Sequence, residues 1–293
     1  MNIVLAGCGY VGQRVAAKEL ARGNKPIALV RSEQSRQALV DAGINAIALD
    51  LDSLTSLATL PVAGNGIYYF APPPSTGTTD TRLRSFLDSI NPDQLPTRVV
   101  YISTTGVYGD CHGEWVKEDR QPMPVADRAK RRWDAEQALR DWSAQTGVAV
   151  CILRVPGIYG PGKVPTQRIE KGTPVLAESE SPWSNRVHVD DLVRACMAAM
   201  DRGHPGSVYN ISDGNPSTMT DYFNHIADAM GLPRPPQISL DAAKQLFSRE
   251  LISYLTESKR LDNSLMRGEL GVEPEYPTLD IGLKAALEVS RST

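Results

Sequence analysis

The chain has 293 residues, with 31 basic against 34 acidic side chains and a net charge of −3, a balance that gives no electrostatic case for nucleic acid or an anionic membrane as partner. Its length exceeds one average domain and falls short of three, so one large domain with a smaller appendage is expected. No apolar run reaches transmembrane length and the first residues enter a core strand without a leader, so a soluble, unprocessed cytoplasmic protein is expected.

Ile3, Val4, Leu5 and Ala6 form a short uncharged apolar run, the pattern of a strand covered on both faces in a parallel sheet. Gly7-Cys8-Gly9-Tyr10-Val11-Gly12 follows it. Gly7 is expected to make a tight turn, Gly9 to bring backbone against a pyrophosphate, and Gly12 to let the next helix pack closely. That helix is amphipathic, with Val11, Val15 and Leu20 read as inward and Gln13, Arg14 and Lys18 as outward. Its N-terminus, with unpaired N–H groups and the positive end of the macrodipole, favours a dinucleotide's phosphates. Arg22-Gly23-Asn24 stops the helix, and a second strand over 27–30 ends at Arg31-Ser32. A site for NAD usually places a carboxylate here, about twenty residues past the glycines, on the ribose 2′-hydroxyl. Arg31, Ser32 and, a turn later, Arg36 favour NADP instead, with NAD as the alternative.

A polar helix over 35–42 and a third strand over 44–49 lead to Asp50-Leu51-Asp52, where an acidic side chain can meet an adenine amino group or cap a helix. The fourth strand, 66–71, carries Phe70 and Ala71 and is broken by Pro72-Pro-Pro74, so the chain leaves the sheet at the carboxyl end of a strand, beside the crevice where such sheets bind ligands. A helix around Leu83, Phe86, Leu87 and Ile90 returns it to a fifth strand, 98–103. A helix from Trp133 to Trp142, a sixth strand over 148–153, a helix over 192–200 and a strand over 207–211 follow. This alternation predicts an α/β fold with a doubly wound parallel sheet of Rossmann type. Beyond Asp213 come helical stretches over 220–230 and 240–247, a proline-rich connector and a last helix over 281–289, a small, mostly helical lobe. The expected division is a Rossmann domain over 1–165, joined again by 186–212, and a small substrate lobe from 166–185 and 213–293. Cys8, Cys111, Cys151 and Cys196 are scattered without paired spacing and read as reduced thiols, with no metal site expected.

Four segments, Gly7 to Gly12, Ile102-Ser-Thr-Thr-Gly-Val-Tyr-Gly-Asp110, Leu153-Arg-Val-Pro-Gly-Ile-Tyr-Gly-Pro-Gly162 and Arg186-Val-His-Val-Asp-Asp-Leu192, carry a resemblance over nearly the whole chain. The chain resembles the extended short-chain dehydrogenase/reductases, the NAD-dependent epimerase/dehydratase family, and most of all their atypical branch, which keeps the cofactor fold and loses parts of the catalytic set. The resemblance places Ser103, Pro156, Gly157 and Ile158 beside the cofactor and Thr104 where the family orients its substrate. It also implies a Tyr-x-x-x-Lys pair, the tyrosine as general acid/base and the lysine lowering its pKa and binding the nicotinamide ribose. Aligned on Glu136, those positions hold Arg128 and Arg132, and the register on Lys130 puts Ala126 at the tyrosine's place. A guanidinium stays protonated and has no acceptor, so Arg128 cannot take a proton from an alcohol. A positioned acid/base contributes on the order of 10²–10⁴ in rate, which must then come from elsewhere. Arg132 can still hold a ribose or a phosphate. Tyr108 and Tyr159 are the nearest phenols, either proton donors or packing residues with satisfied hydroxyls.

Sugar-nucleotide members commonly carry Asn where this chain has Gly157, and an Arg four residues before the motif histidine; Ser184 stands four before His188 and Arg186 two, so the diphosphate clamp is displaced or absent. His188, Asp190 and Asp191 invite a metal or catalytic-triad reading, while the resemblance implies that this stretch ties the small lobe to the sheet. The reading is an NADP(H)-binding oxidoreductase or epimerase/dehydratase-like protein acting on a small polar substrate, sugar derivatives included, with Thr104, Tyr108, Arg128 and Arg132 as catalytic candidates. A cationic Arg128 suits an anionic substrate or a developing oxyanion. The alternative is a non-catalytic NADP-binding sensor. A small-molecule substrate is the expected partner, and the chain is expected to be a monomer or a homodimer.

Overall fold

A computed structural model describes residues 2–53 and 60–291. Its centre is a seven-stranded sheet built from β1 (Asn2–Ala6), β2 (Lys25–Val30), β3 (Asn45–Ala48), β4 (Gly66–Tyr69), β5 (Arg98–Thr104), β6 (Ala149–Val155) and β7 (Val208–Asn210). The strands run parallel in the order β7-β6-β5-β4-β1-β2-β3. The order reverses between β1 and β4, the point where the carboxyl ends of such a sheet open a ligand crevice. Ile3, Val4, Leu5 and Ala6 are fully buried. Their alternation divides the core: Ile3 and Leu5 pack with Val15 and Ala16 and with the helix Val189–Arg202, while Val4 and Ala6 pack with Leu83, Phe86 and Leu139 from the opposite face.

The first helix, Tyr10–Ala21, is phased one residue away from the expected pattern. Leu20 is 44% exposed, and Glu19 is buried in its place. The inward stripe runs Gly12, Val15, Ala16, Glu19, the i, i+3, i+4, i+7 set of one helix face. A carboxylate tolerates that position because it is hydrogen-bonded: the Tyr68 hydroxyl donates to it at 2.6 Å and the Asn24 side-chain amide at 2.6 Å.

The helix expected over 133–142 runs Asp127–Thr146, ending at Gly147 with φ +74°, and so carries Arg128 and Arg132 on its first turns. Beyond Asp213 the chain forms Met219–Met230, Leu240–Leu246, Arg249–Leu255 and Leu279–Arg291. Tyr159, Ile169, Tyr222, Phe223, Ile226 and Leu283 share a core of their own. Between the lobe's helices Arg260–Leu261 pairs in parallel with Trp115–Val116 in a separate two-stranded sheet, and Met266 and Leu270 join the core of the seven-stranded sheet. Among the described residues no helix is long and apolar enough to cross a membrane.

Candidate active site

Two cavities open at the carboxyl ends of the strands. The first, of about 560 Å³, is lined by Gly7, Cys8, Gly9, Arg31, Asp50, Leu51, Ala71 and Pro72, with Gln34, Ser35 and Arg82. The second, of about 650 Å³, begins at Pro73 and is lined by Thr104, Gly106, Arg128, Arg132, Pro156, Gly157 and Ile158 on the sheet side and by residues of the lobe opposite. Each is large enough for part of a small-molecule ligand.

The glycines of the first loop divide their work. Gly7 has φ +88°, and a Cβ there would stand 2.6 Å from the Ala71 backbone nitrogen. A Cβ on Gly12 would stand 2.8 Å from the Gly7 carbonyl oxygen, so its absence brings the helix onto the strand. A Cβ on Gly9 would meet nothing within 4 Å, leaving that backbone bare toward the cavity at the helix N-terminus. Tyr10 does not line the cavity; its hydroxyl donates to the Pro161 carbonyl at 2.9 Å and ties this loop to the one after β6. Val11 packs into the sheet's core.

Arg31 reaches the first cavity with no carboxylate within 4.0 Å among the described residues. Ser32 and Arg36 do not reach it. Ser32 caps the helix Glu33–Asp41, accepting from the Ser35 N–H at 3.2 Å, and Arg36 pairs with Glu33 at 2.6 Å. Ser35 and Gln34 take their place, one turn of phase that sequence spacing did not separate. Asp52 is held by Arg82 through bonds of 2.8 and 2.6 Å, and Arg82 also donates to the Pro72 carbonyl, linking the ends of β3 and β4 over the cavity. This pairing holds the Asp52 carboxyl below its ordinary range. Phe70 packs against Tyr68, with ring centroids 5.5 Å apart, and lines neither cavity.

The second cavity is shaped from behind by a buried ion pair. Glu136 and Arg154 are 0% and 1% exposed; Arg154 Nη2 donates to Glu136 Oε2 at 2.8 Å and Nε reaches both carboxylate oxygens at 3.2 and 3.3 Å. The Ser103 hydroxyl donates to the same carboxylate at 2.6 Å, so Ser103 serves this pair and does not line either cavity. Arg128, Arg132 and Glu136 recur every four residues, on one helix face, so the locked Glu136 points both arginines at the cleft. Arg132 Nη1 donates to the Tyr101 hydroxyl at 3.2 Å and the Ile102 carbonyl at 3.1 Å. Burial works against its charge, and Tyr101 and Asp80 nearby more than offset that. Arg128 Nη1 donates to the Ser253 hydroxyl at 2.9 Å, and its guanidinium lies 3.6 Å from the centre of the Tyr254 ring. Thr104 Oγ1 accepts from the Gly106 N–H at 3.2 Å, which leaves its own proton free for a ligand.

The structure does not bring Tyr108 or Tyr159 to the cleft. The Tyr108 hydroxyl is buried and donates to Asn210 Oδ1 at 2.7 Å, beneath the Arg154 guanidinium. Tyr159 is fully buried in the lobe's core, with Gly282 over its hydroxyl because a Cβ there would collide with it, and burial pushes its pKa up. The phenols that do line the cleft are Tyr222 and Tyr254, both from the lobe, where no motif marked them. Tyr222 is pushed up to about 12 by burial.

His188 is buried and caps its helix through Nδ1, which accepts from the Asp190 N–H at 3.3 Å; its ring stacks on Tyr276 at 3.8 Å, and burial pushes its pKa down. Asp191 accepts the Glu275 and Tyr276 N–H groups at 2.9 and 3.0 Å and fastens the chain's last segment to the sheet. Among the described residues no group of three or more His, Cys, Asp or Glu side chains could hold a metal.

Comparison with known proteins agrees with this architecture. A family profile described as "NAD dependent epimerase/dehydratase family" matches residues 3–212. The Protein YeeZ of Escherichia coli K12 is 27% identical, over 94% of this chain and 96% of its own. A "3-diazoavenalumate denitrifying reductase" of a Streptomyces species is 24% identical over 97% of this chain and 99% of its own. Among solved structures, a functionally unknown conserved protein from Silicibacter pomeroyi superposes with a TM-score of 0.84 at 30% identity, covering 99% of each chain. The UDP-glucose 4-epimerase of Thermotoga maritima, solved with UDP-glucose, gives 0.81 at 20% identity, over 100% of this chain and 99% of its own.

Proposed function

The chain belongs to the NAD dependent epimerase/dehydratase family, and from that premise we propose that it is an NADP(H)-dependent oxidoreductase of epimerase/dehydratase type, acting on a small polar substrate, sugar derivatives included, with an altered catalytic set. The observation that carries this reading is the pair of adjoining cavities at the sheet's switch point, one floored by Gly7 and Gly9 with Arg31 at its rim, the other holding Thr104, Arg128 and Arg132. The first fits a dinucleotide: bare backbone at a helix N-terminus for its phosphates, Asp50 for its adenine and, for a 2′-phosphate, an Arg31 with no carboxylate within 4.0 Å among the described residues. Solved relatives of the same fold, such as the UDP-glucuronic acid 4-epimerase of Bacillus cereus, are complexes with NAD. Arg132 would hold the nicotinamide end.

A bound nicotinamide would supply or accept the hydride, and Arg132 with the glycine loop would hold it. Thr104 donates a hydrogen bond to the substrate oxygen, and Arg128 stabilises negative charge developing there. With Arg128 and Arg132 read at the family's Tyr-x-x-x-Lys positions, proton transfer passes to another group; we assign it to Tyr254, which lines the cleft and stacks on Arg128.

Incubation with stereospecifically deuterated NADPH and a panel of carbonyl compounds and sugar nucleotides tests this. Deuterium is expected in a product, with the rate reduced on the order of 10²-fold by Thr104→Val, Arg128→Leu or Tyr254→Phe. Tight NADP binding without transfer to any panel member would replace the reading by that of a non-catalytic NADP sensor. Arg31→Glu is expected to weaken NADP by roughly a hundredfold, from lost charge-assisted bonds and new repulsion, while leaving NAD within about threefold. Calorimetric titration of both coenzymes checks this, and equal losses for the two would remove Arg31 from the 2′-phosphate.

A further inference from the structure

The two arginines that line the first cavity, Arg31 and Arg82, differ in what they can offer a ligand. Arg31 has no carboxylate within 4.0 Å among the described residues, so its charge is open to a phosphate. Arg82 is already neutralised. Its Nε donates to Asp52 Oδ1 at 2.8 Å and its Nη2 to Asp52 Oδ2 at 2.6 Å, a two-pronged pair, while Nη1 donates to the Pro72 carbonyl. Those bonds use three of its five N–H donors, all of which lie in the guanidinium plane. What remains for a ligand is chiefly the flat face of the group, which is weakly hydrated and stacks on aromatic rings.

The clasp is fixed from both ends. At the end of β3, Asp50 accepts the Asp52 N–H at 3.0 Å, so the carboxylate assigned to the adenine also closes the turn that carries Asp52. At the end of β4, Pro72 follows Ala71, whose N–H donates to the Ala6 carbonyl at 2.8 Å. Arg82 itself stands in the first turn of the helix Thr81–Asp88, capped by Asp80, which accepts the Leu83 N–H at 3.0 Å. The Arg82 side chain is 15% exposed against 49% for Asp52, so the carboxylate faces water and the guanidinium turns toward the cavity. Leu39, Leu49 and Leu51 line the same space, apolar walls that suit a ring and give an anion nothing to bond.

We propose that Arg82 roofs the adenine of the dinucleotide, its guanidinium face stacked on the purine ring while Asp52 pins the plane, and that it contributes affinity through that ring and not through a phosphate. The proposal rests on the reading of the first cavity as the coenzyme site. It divides the work of the two arginines: Arg31 serves the 2′-phosphate that distinguishes NADP, and Arg82 the base that both coenzymes share.

Adenosine 5′-monophosphate, NAD and NADP, each titrated by calorimetry into the full chain, are the probes. Arg82→Lys keeps a cation within reach of Asp52 and removes the flat face. It is expected to weaken all three ligands alike, by about tenfold, and by the same factor at low and at high salt. Asp52→Asn leaves the guanidinium in place and unpins it, so a loss of at least about threefold for the monophosphate is expected; at this half-exposed position it decides should Arg82→Lys fail to fold. Either variant binding the monophosphate within about twofold of the parent overturns the proposal. A loss confined to NADP, or one abolished by salt, also overturns it, by making Arg82 a phosphate ligand. The parent keeps the two readings apart: NADP bound by the parent and undiminished in the variants sinks the stack and leaves the coenzyme assignment standing, while a parent that binds none of the three ligands sinks both.

Discussion

Replacing Glu136 by alanine is expected to lower the unfolding free energy by about 3–5 kcal/mol, since it strands the Arg154 cation in the core. Arg154 is 1% exposed, and the partners it would keep, the Glu118 carbonyl at 3.2 Å and the Tyr108 side chain beneath its guanidinium, carry no charge. The exposed pairs, such as Arg234 with Asp228 at 2.7 Å, are screened by water and contribute little to stability. The loss is also expected to reach the cleft, because Glu136 gathers Ser103 at the end of β5, Arg154 at the end of β6 and the helix that carries Arg128 and Arg132. Urea unfolding reads the first effect. The double variant Glu136→Leu with Arg154→Met removes both charges and is expected to recover most of the stability, since an apolar pair of similar volume avoids the uncompensated cation. A single variant within about 1 kcal/mol of the parent would show that water reaches Arg154 and that the pair is not the lock described.

What the sequence shows and hides follows the distance over which each feature is decided. The glycine loop, the strand-to-helix alternation and the helix that carries Arg128 and Arg132 are set by neighbours a few residues apart, and spacing therefore predicts them; both arginines line the second cavity. Tyr108 sits in a motif at the crevice, yet its partner Asn210 is 102 residues away, and only the folded sheet aims its hydroxyl inward. Glu19 looks like a solvent residue until Tyr68, 49 residues on, supplies its bond. Ser32 and Arg36 carry the right chemistry for a phosphate and are used locally, as a cap and as an exposed pair with Glu33, which only the helix's exact start reveals. The lobe's contributions, Arg168, Tyr222 and Tyr254, come from segments without a motif and enter the site through tertiary packing alone.

Alanine at Gly7 is expected to cost about 2–5 kcal/mol, combining roughly 1–2 kcal/mol for a side chain in a left-handed conformation with roughly 1–3 kcal/mol for the strain of an overpacked core contact. The contact cannot relax cheaply, since the atoms that the new Cβ would meet, the Ala71 nitrogen at 2.6 Å and its Cα at 2.7 Å, are backbone at the end of β4. The Ala71 N–H is itself bonded to the Ala6 carbonyl at 2.8 Å, so yielding to the methyl group would pull on the β1–β4 ladder at the switch point where the two cavities meet. Alanine at Gly9 offers the contrasting case. With nothing within 4 Å of its Cβ position, it is expected to leave thermal unfolding within about 2 °C of the parent. It nevertheless places a methyl group where bare backbone faces the first cavity, so NADP binding is expected to fall by at least tenfold. Thermal melts and NADP titrations of the two variants therefore separate a glycine needed by the fold from one needed by the ligand. Equal melting temperatures for both variants would show that Gly7 is not held against β4, and unchanged NADP affinity in Gly9→Ala would take the dinucleotide away from this loop.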